Sequence, residues 1–263
     1  TIEVFGGVVD AYTMTEAVKD GITVNLVYDG RAAKVMLNQD KVRQIEEYYA
    51  QCELEGANEH QVEESQKAVA KMEVIIGDPD RLRAVAEDFI KHYETRVAEG
   101  ATVAGKAMFV CSNRNIAYDF YKIVKELRPE WTEKKICDDG VVLSEKDKKE
   151  LKPMEKIKLV MTRNKDDEKD LFDMLGTKED RKEFDRQFKN PKSNFKIAIV
   201  VDMWLTGFDV PELDTIYIDK PIQQHTLIQT ISRVNRVCEG KDKGKIVDYI
   251  GIKKKLNTAI KKY

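Results

Sequence analysis

Hydrophobic residues follow two different periods along the chain, and the change between them divides it into two parts. Between about residues 36 and 100, apolar side chains recur at the helical spacing of three and four residues. This spacing predicts three amphipathic helices, with apolar positions from Val42 to Cys52, from Val62 to Ile76 and from Leu82 to Val97. From Lys106 onward, short apolar runs alternate with helical patterns, which is typical of strands buried on both faces of a parallel sheet.

The apolar runs predict strands at residues 107–111, 156–161, 196–202, 215–219 and 245–249. Helices are predicted at about 116–127, at about 178–188 and from Gln224 onward. Between Asp138 and Glu155, lysines and acids alternate without a period, and we expect a loop or a short irregular insertion. The predicted fold class is α/β: a doubly wound, largely parallel sheet with helices on both faces, plus a helical elaboration near the N-terminus.

Composition and charge narrow the possible classes of protein. The chain has 263 residues, of which 42% are hydrophobic, so it can bury a core. No apolar run approaches the roughly 20 residues that a membrane helix needs. The cysteines and histidines lack metal-ligand spacing, so we expect reduced thiols, a cytoplasmic protein and no metal site. A net charge of −2 argues against binding nucleic acid by bulk electrostatics, although a local basic strip remains compatible with it.

The segment after the predicted strand 215–219 carries a polar pattern suited to phosphate. Gln229, Arg233 and Arg236 are four and three residues apart, so they are predicted to share one helical face. Arginine keeps its charge and presents a planar fork that matches phosphate oxygens. Alone, the pattern is also typical of a solvated helix face. Because the pattern follows a buried strand, it favours a site that binds a nucleoside triphosphate.

A second polar segment follows the predicted strand 196–202. Gly207 allows a backbone turn that other residues adopt only at a cost, and Asp209 can hydrogen-bond a hydroxyl-rich ligand. Because ligands of open α/β sheets bind at the carboxyl ends of the strands, we expect this loop at a binding site there. The order of strand, Gly-x-Asp loop, strand and arginine-bearing helix is a specific sequence pattern for such a binding site.

This order resembles the last motifs of the superfamily-two helicases. The segment Thr206-Gly207-Phe208-Asp209 is similar to motif V. The segment from Gln229 to Arg236 is similar to the Q-x-x-G-R-x-x-R of motif VI, with Ser232 in place of the usual glycine.

The amino-acid sequences of longer segments resemble, more narrowly, the R subunit of type I restriction enzymes. This subunit joins a nuclease to a DNA-translocating motor. The segments are Ile199 to Pro211, Asp219 to Pro221 and Val247 to Gly251. Tyr12 to Gly21 and Val24 to Arg31 are similar to the passage that links the two motor lobes of that subunit.

The resemblance implies a RecA-like second motor lobe at residues 101–251. An interlobe linker and the strand that enters the lobe would occupy 1–35, the helical elaboration 36–100, and a basic exit helix or tail 252–263. Such a motor holds ATP and Mg²⁺ between two lobes, with the phosphates and Mg²⁺ mainly on the first. The resemblance therefore implies that Arg233 and Arg236 are arginine fingers, that Asp209 in the Gly207 loop reaches the ribose, and that Gln229 couples the fingers to the nucleotide or to the facing lobe.

The segment Gly100 to Ala107 imitates a phosphate loop but does not fit one. Ala107 replaces the hydroxyl residue that would hold Mg²⁺, and a strand follows the segment where the motif requires a strand before it. We therefore expect the chain to be part of a longer ATP-dependent type I restriction endonuclease and to be inactive alone.

Ser112, Asn113 and Arg114 follow the predicted strand 107–111 and begin a helix. They form either an anion site or an ordinary helix cap. Thr162 ends another strand at the same edge of the sheet. The resemblance implies that these residues and Thr206 contact the DNA backbone.

The implied partners are double-stranded DNA, the first motor lobe and nuclease domain of the same chain, and the methyltransferase and specificity subunits of the restriction complex. Two alternatives remain. The chain could be a motor lobe of another superfamily-two DNA translocase, or a non-catalytic protein-interaction module whose arginines form protein salt bridges.

Overall fold

The computed structural model describes residues 14–32, 72–222, 224–253 and 256–257. The first predicted amphipathic helix, from Val42 to Cys52, lies outside the described residues. Of the second, residues 72–76 are described, and they are helical. The lysines from Lys254 onward, which belong to the predicted basic tail, also lie outside.

Within these ranges, six strands form one parallel sheet in the order β1-β6-β5-β2-β4-β3. The strands are β1 Asn25–Gly30, β2 Lys106–Cys111, β3 Ile157–Val160, β4 Ile197–Val200, β5 Leu213–Asp219 and β6 Lys243–Asp248. The helices are α1 Met14–Lys19, α2 Pro79–Ala98, α3 Arg114–Leu127, α4 Glu145–Glu150, α5 Lys169–Leu175, α6 Lys178–Lys189 and α7 Gln224–Ile231, and a 3₁₀-helix spans Pro129–Thr132. Each predicted strand is confirmed.

Helices cover both faces of the sheet. The chain moves along the sheet in one direction from β1 through β2 to β3, by way of α2 and α3, and in the opposite direction from β3 to β6, by way of α6 and α7. Because parallel crossovers are right-handed, the two sets of helices lie on opposite faces. The predicted doubly wound α/β fold is confirmed.

Aromatic side chains fill the core on the α2 and α3 face. Phe109 of β2 stacks on Phe120 of α3 with ring centroids 4.0 Å apart. Phe89 of α2 meets Tyr217 of β5 edge-on at 4.7 Å. Edge-on and offset ring contacts of this kind stabilise a core beyond the area that they bury.

The helix α2 is anchored by a buried ion pair. The Arg81 guanidinium donates to both carboxylate oxygens of Asp219 at the end of β5, with Nη1 3.1 Å from Oδ2, and to the carbonyl of Ile76 at 3.0 Å. Both charged side chains are buried. The predicted domain boundaries stay a prediction, but β1 is a strand of this sheet and α2 packs into the same core.

The segment between Asp138 and Glu155 contains a helix that the sequence pattern did not predict. Ser144 and Asp147 form a capping box, in which each side chain accepts a hydrogen bond from the other residue's backbone N–H, and this starts α4. None of the residues of α4 is buried, so the helix has no apolar stripe and its sequence shows no hydrophobic period.

The described helices include none that is long and apolar enough to cross a bilayer.

Candidate functional site

The arginine segment is not one continuous helix. The carbonyl of Gln229 accepts the Ser232 hydroxyl at 2.8 Å and the Arg233 Nε at 3.1 Å. Side chains thus satisfy a carbonyl that would otherwise bond the next helical turn, and α7 ends at Ile231. The prediction that Gln229, Arg233 and Arg236 share one helical face is therefore wrong. Both arginines lie in the segment 232–236, which we call the arginine turn.

The arginine turn contacts the Gly207 loop directly. Arg233 Nη1 donates to the carbonyl of Phe208 at 2.6 Å, and the Arg236 guanidinium forms an ion pair with Asp209. Gly207, which directly precedes Phe208, has a φ of 69°, the left-handed conformation that favours glycine. The structure therefore brings together the five residues that the sequence selected for nucleotide binding: Gly207, Asp209, Gln229, Arg233 and Arg236.

This cluster lies at the amino ends of the strands, not at the carboxyl ends as expected. Asp209 comes just before β5 begins at Leu213. Arg236 forms an antiparallel bridge with Thr23, just before β1, and the Val24 N–H donates to the Asn235 carbonyl at 2.7 Å. Because β4 and β5 are parallel, the chain between them must cross from the carboxyl edge of the sheet to the amino edge. The loop begins at one edge and presents Asp209 at the other.

Gly244 is a positioning residue for the arginine turn that sequence reasoning missed. A Cβ atom added at Gly244, the second residue of β6, would lie 2.1 Å from the Val234 carbonyl oxygen. Only a glycine lets the backbone of the turn approach the strand so closely. The available signal was a lone glycine directly before the predicted strand 245–249.

The ion pair between Arg236 and Asp209 is exposed to solvent. The Arg236 and Asp209 side chains are 36% and 58% exposed, and ion pairs at such exposure contribute little stability. Burial and the nearby charge of Arg236 lower the pKa of Arg233. Two guanidiniums therefore lie close together with one weakly held carboxylate, an arrangement that favours an incoming anion.

Of the five residues selected for DNA contact, Ser112, Asn113, Arg114 and Thr162 lie at the carboxyl edge of β2 and β3. The Ser112 hydroxyl donates to the Asp219 carbonyl at 3.4 Å, a long hydrogen bond. The Asn113 side chain accepts the Ile116 N–H at 3.0 Å, so it acts as the helix cap of α3. A cleft of about 190 Å³ opens beside them, and its lining includes Arg114, Met161, Thr162, Asn164, Asp202 and Met203. Thr206 is exposed but does not line this cleft.

Lys106, the lysine of the segment that imitates a phosphate loop, is a core residue. Its ammonium group is fully buried and donates to the Phe195 carbonyl at 2.6 Å. Burial and the charge of Lys196 lower its pKa well below the ordinary value. The segment follows α2 and runs into β2, the reversed order that the sequence indicated.

The six-stranded parallel sheet with helices on both faces is that of a RecA-like lobe. The family model for type I restriction enzyme subunit R domain 3 matches residues 103–251, and the chain belongs to this family. A second family model, described as SWI2/SNF2 ATPase, matches residues 1–63.

Similar proteins of known family are also type I restriction enzyme subunits. The chain is 36% identical over its whole length to the HindI endonuclease subunit, a type I restriction enzyme subunit of Haemophilus influenzae, and covers 23% of that protein. It is 46% identical over 84 residues, 30% of this chain and 9% of the relative, to the SauCOLORF180P endonuclease subunit of Staphylococcus aureus. The chain spans less than a quarter of the length of the curated relatives that it matches throughout.

A solved structure has the same fold. It is a fragment assigned to the HsdR subunit of a type I restriction enzyme from Vibrio vulnificus, with a TM-score of 0.57 and 12% sequence identity, covering 100% of this chain and 39% of that one.

Proposed function

We propose that this chain is the second motor lobe of an ATP-dependent double-stranded DNA translocase, in the R subunit of a type I restriction endonuclease. The contact between the Gly207 loop and the arginine turn supports this role most directly. It gathers two guanidiniums and a carboxylate at one edge of the sheet, where a nucleoside triphosphate held by a facing lobe would meet them.

Each residue of the cluster has a separate role in the proposal. Arg236 and Arg233 act as arginine fingers, which stabilise the negative charge that gathers on the γ-phosphate oxygens during hydrolysis. Arg236 leaves its exposed pair with Asp209, and the freed carboxylate accepts a hydrogen bond from a ribose hydroxyl. Gln229 holds Arg233 through its carbonyl, 3.1 Å from Nε.

Mg²⁺ is assigned to the facing first lobe. Asp209, the acidic side chain of this cluster, is paired with Arg236, so the cluster fits phosphate oxygens and a hydroxyl better than a metal ion. When bound, Mg²⁺ neutralises charge on the phosphates.

DNA is assigned to the opposite edge of the sheet. Ser112, Asn113, Arg114, Thr162 and Thr206 would line the path of the DNA backbone, by direct contact or by fixing the groups that make it, and they would not read sequence. Closure of the two lobes on ATP and their opening after hydrolysis would move the lobe along the duplex. The nuclease domain and the methyltransferase and specificity subunits complete the proposed assembly in the cytoplasm of a bacterium or archaeon.

The test is Arg236→Ala in the complete R subunit. DNA-dependent ATP turnover should fall by roughly 10³ or more, while ATP binding falls far less, because the arginine acts mainly on the transition state. Lysine should not restore turnover, because a point charge cannot replace the fork. Arg83→Ala removes an exposed arginine of α2 that pairs with Glu87 and Glu126, and this control should leave turnover unchanged.

The same variant separates the proposal from the protein-interaction module. If the pair of Arg236 and Asp209 is only a structural salt bridge, Arg236→Ala leaves turnover within a few-fold of the wild type or unfolds the lobe. Either result would remove the arginine finger from the proposal.

A further inference from the structure

Both terminal nitrogens of the Arg114 guanidinium donate hydrogen bonds within the lobe. Its Nη2 donates to both carboxylate oxygens of Asp167, each at 2.6 Å, and its Nη1 donates to the Thr162 carbonyl at 2.6 Å. The Asp167 carboxylate is 6% exposed and also accepts the Asn164 N–H at 2.7 Å. The fork and the charge of Arg114 are thus occupied by the segment from Thr162 to Asp167, which we call the β3 turn.

The β3 turn also exposes polar side chains to solvent. Thr162, Asn164 and Lys165 are exposed, and in the described part of the chain their side chains form no hydrogen bond or ion pair. Thr162 and Asn164 line the cleft beside β2 and β3. Hydroxyl and amide groups are common donors to phosphate oxygens of a nucleic-acid backbone.

We infer that Arg114 is a positioning residue, and that the Thr162 hydroxyl and the Asn164 amide receive a phosphate of the DNA backbone in this cleft. The inference rests on the proposed function, because it assigns the atoms of this lobe that face DNA. Arg114 ties the β3 turn to the start of α3, and removal of either member of the pair with Asp167 releases that turn. The phosphate contact is made by uncharged donors, so it releases few counterions.

The test turns on Asp167→Asn in the complete R subunit, because the two possible roles of Arg114 predict opposite results. If Arg114 positions the turn, Asp167→Asn weakens binding of a DNA duplex as Arg114→Ala does. We expect roughly tenfold, the effect of losing one or two hydrogen bonds to a charged group, with the salt dependence unchanged. The double variant is no weaker than Arg114→Ala, because the two residues act as one unit.

If Arg114 instead contacts phosphate itself, Asp167→Asn frees its guanidinium. Binding then becomes tighter, and the salt dependence steepens by nearly one phosphate contact. That result overturns the inference, and so does unchanged binding by Asp167→Asn. Arg114→Lys adds a second comparison. It behaves like Arg114→Ala if the fork holds the turn, and like the wild type if only charge on phosphate matters.

Further variants separate positioning from loss of structure. Asn164→Ala changes only an exposed side chain and should weaken DNA binding to a similar degree. Asp119→Asn is the control. It breaks an exposed ion pair with Lys122 on α3, the helix that begins at Arg114, and DNA binding should be unchanged. In ATPase assays, Asp167→Asn should raise the DNA concentration for half-maximal turnover and leave the turnover at saturating DNA intact, whereas partial unfolding lowers the maximum.

The outcome also distinguishes the two proposals. A wild-type R subunit that fails to bind duplex DNA overturns the proposed function itself. A wild type that binds, with an Asp167→Asn variant that binds equally well or better, overturns only the positioning role of Arg114.

Discussion

At the scale of single residues, the chemistry of the arginine turn was predictable and its backbone was not. The residue types and spacing from Gln229 to Arg236 identified a cationic cluster. The end of α7 depends on local competition, in which the Ser232 hydroxyl and the Arg233 Nε bond the Gln229 carbonyl. Spacing rules assume an unbroken helix, so they cannot detect such an end. The approach of the turn to Gly244 depends on residues far apart in sequence, which periodicity does not relate.

Gly244→Ala should displace the arginine turn, because the new Cβ would lie 2.1 Å from the Val234 carbonyl oxygen. We expect a loss of about 1–3 kcal/mol in the free energy of unfolding. DNA-dependent ATP turnover of the complete subunit should fall by up to roughly 10²-fold, the effect of a displacement of about 1 Å in a catalytic group. Both quantities can be measured on the same preparation.

Gly140→Ala is the matched control for that loss of stability. Gly140 has a φ of 83° in an exposed turn, and no atom lies within 4 Å of an added Cβ. Alanine there should cost about 1 kcal/mol through backbone strain and leave turnover unchanged. Equal turnover in the two variants would show that Gly244 does not position the arginines.

At the scale of elements, strands β2 to β5 were predicted closely because each is buried along its whole length, and the resulting apolar run is visible in the local sequence. The helix α4 was missed because its stability comes from a capping box and not from burial. The helix α2 was predicted from its apolar stripe, but its role was not. From sequence alone, a charged residue such as Arg81 is expected to be exposed to solvent. The fold instead buries it against Asp219, 138 residues away along the chain.

Arg81→Ala should destabilise the lobe by about 3–5 kcal/mol, because it leaves the Asp219 carboxylate buried without a partner. Arg83→Ala, on the same helix but in exposed pairs, should barely change stability. Urea denaturation of both variants measures the difference. The double variant Arg81→Met with Asp219→Asn should recover part of the loss, since it removes both buried charges. If the two single variants were equally stable, the ion pair would not anchor α2.

At the scale of the whole molecule, a parallel sheet separates two kinds of site. All strands point the same way, so the cleft beside Thr162 lies at the carboxyl edge and the arginine turn at the amino edge. The Gly207 loop spans the distance between them, since it leaves β4 at one edge and enters β5 at the other. In the proposed motor, this loop offers a direct physical link between nucleotide and DNA. Its place at both edges follows from topology, which the linear order of motifs does not reveal.

In the proposed motor, the cluster around Arg236 supplies one wall of a nucleotide site, so the isolated chain should bind ATP only weakly, with a Kd of roughly millimolar, and should not hydrolyse it. The lysine of the segment Gly100 to Ala107 gives the sharper test, because Lys106 is buried and donates to the Phe195 carbonyl. Lys106→Met preserves most of the buried volume, and in the complete R subunit it should leave DNA-dependent turnover within a few-fold of the wild type. A phosphate-loop lysine would be required for turnover. The contrary result would be DNA-stimulated ATP hydrolysis by the isolated chain that Lys106→Met abolishes while the variant stays folded. It would place the phosphate site in this lobe and overturn its assignment to the facing lobe.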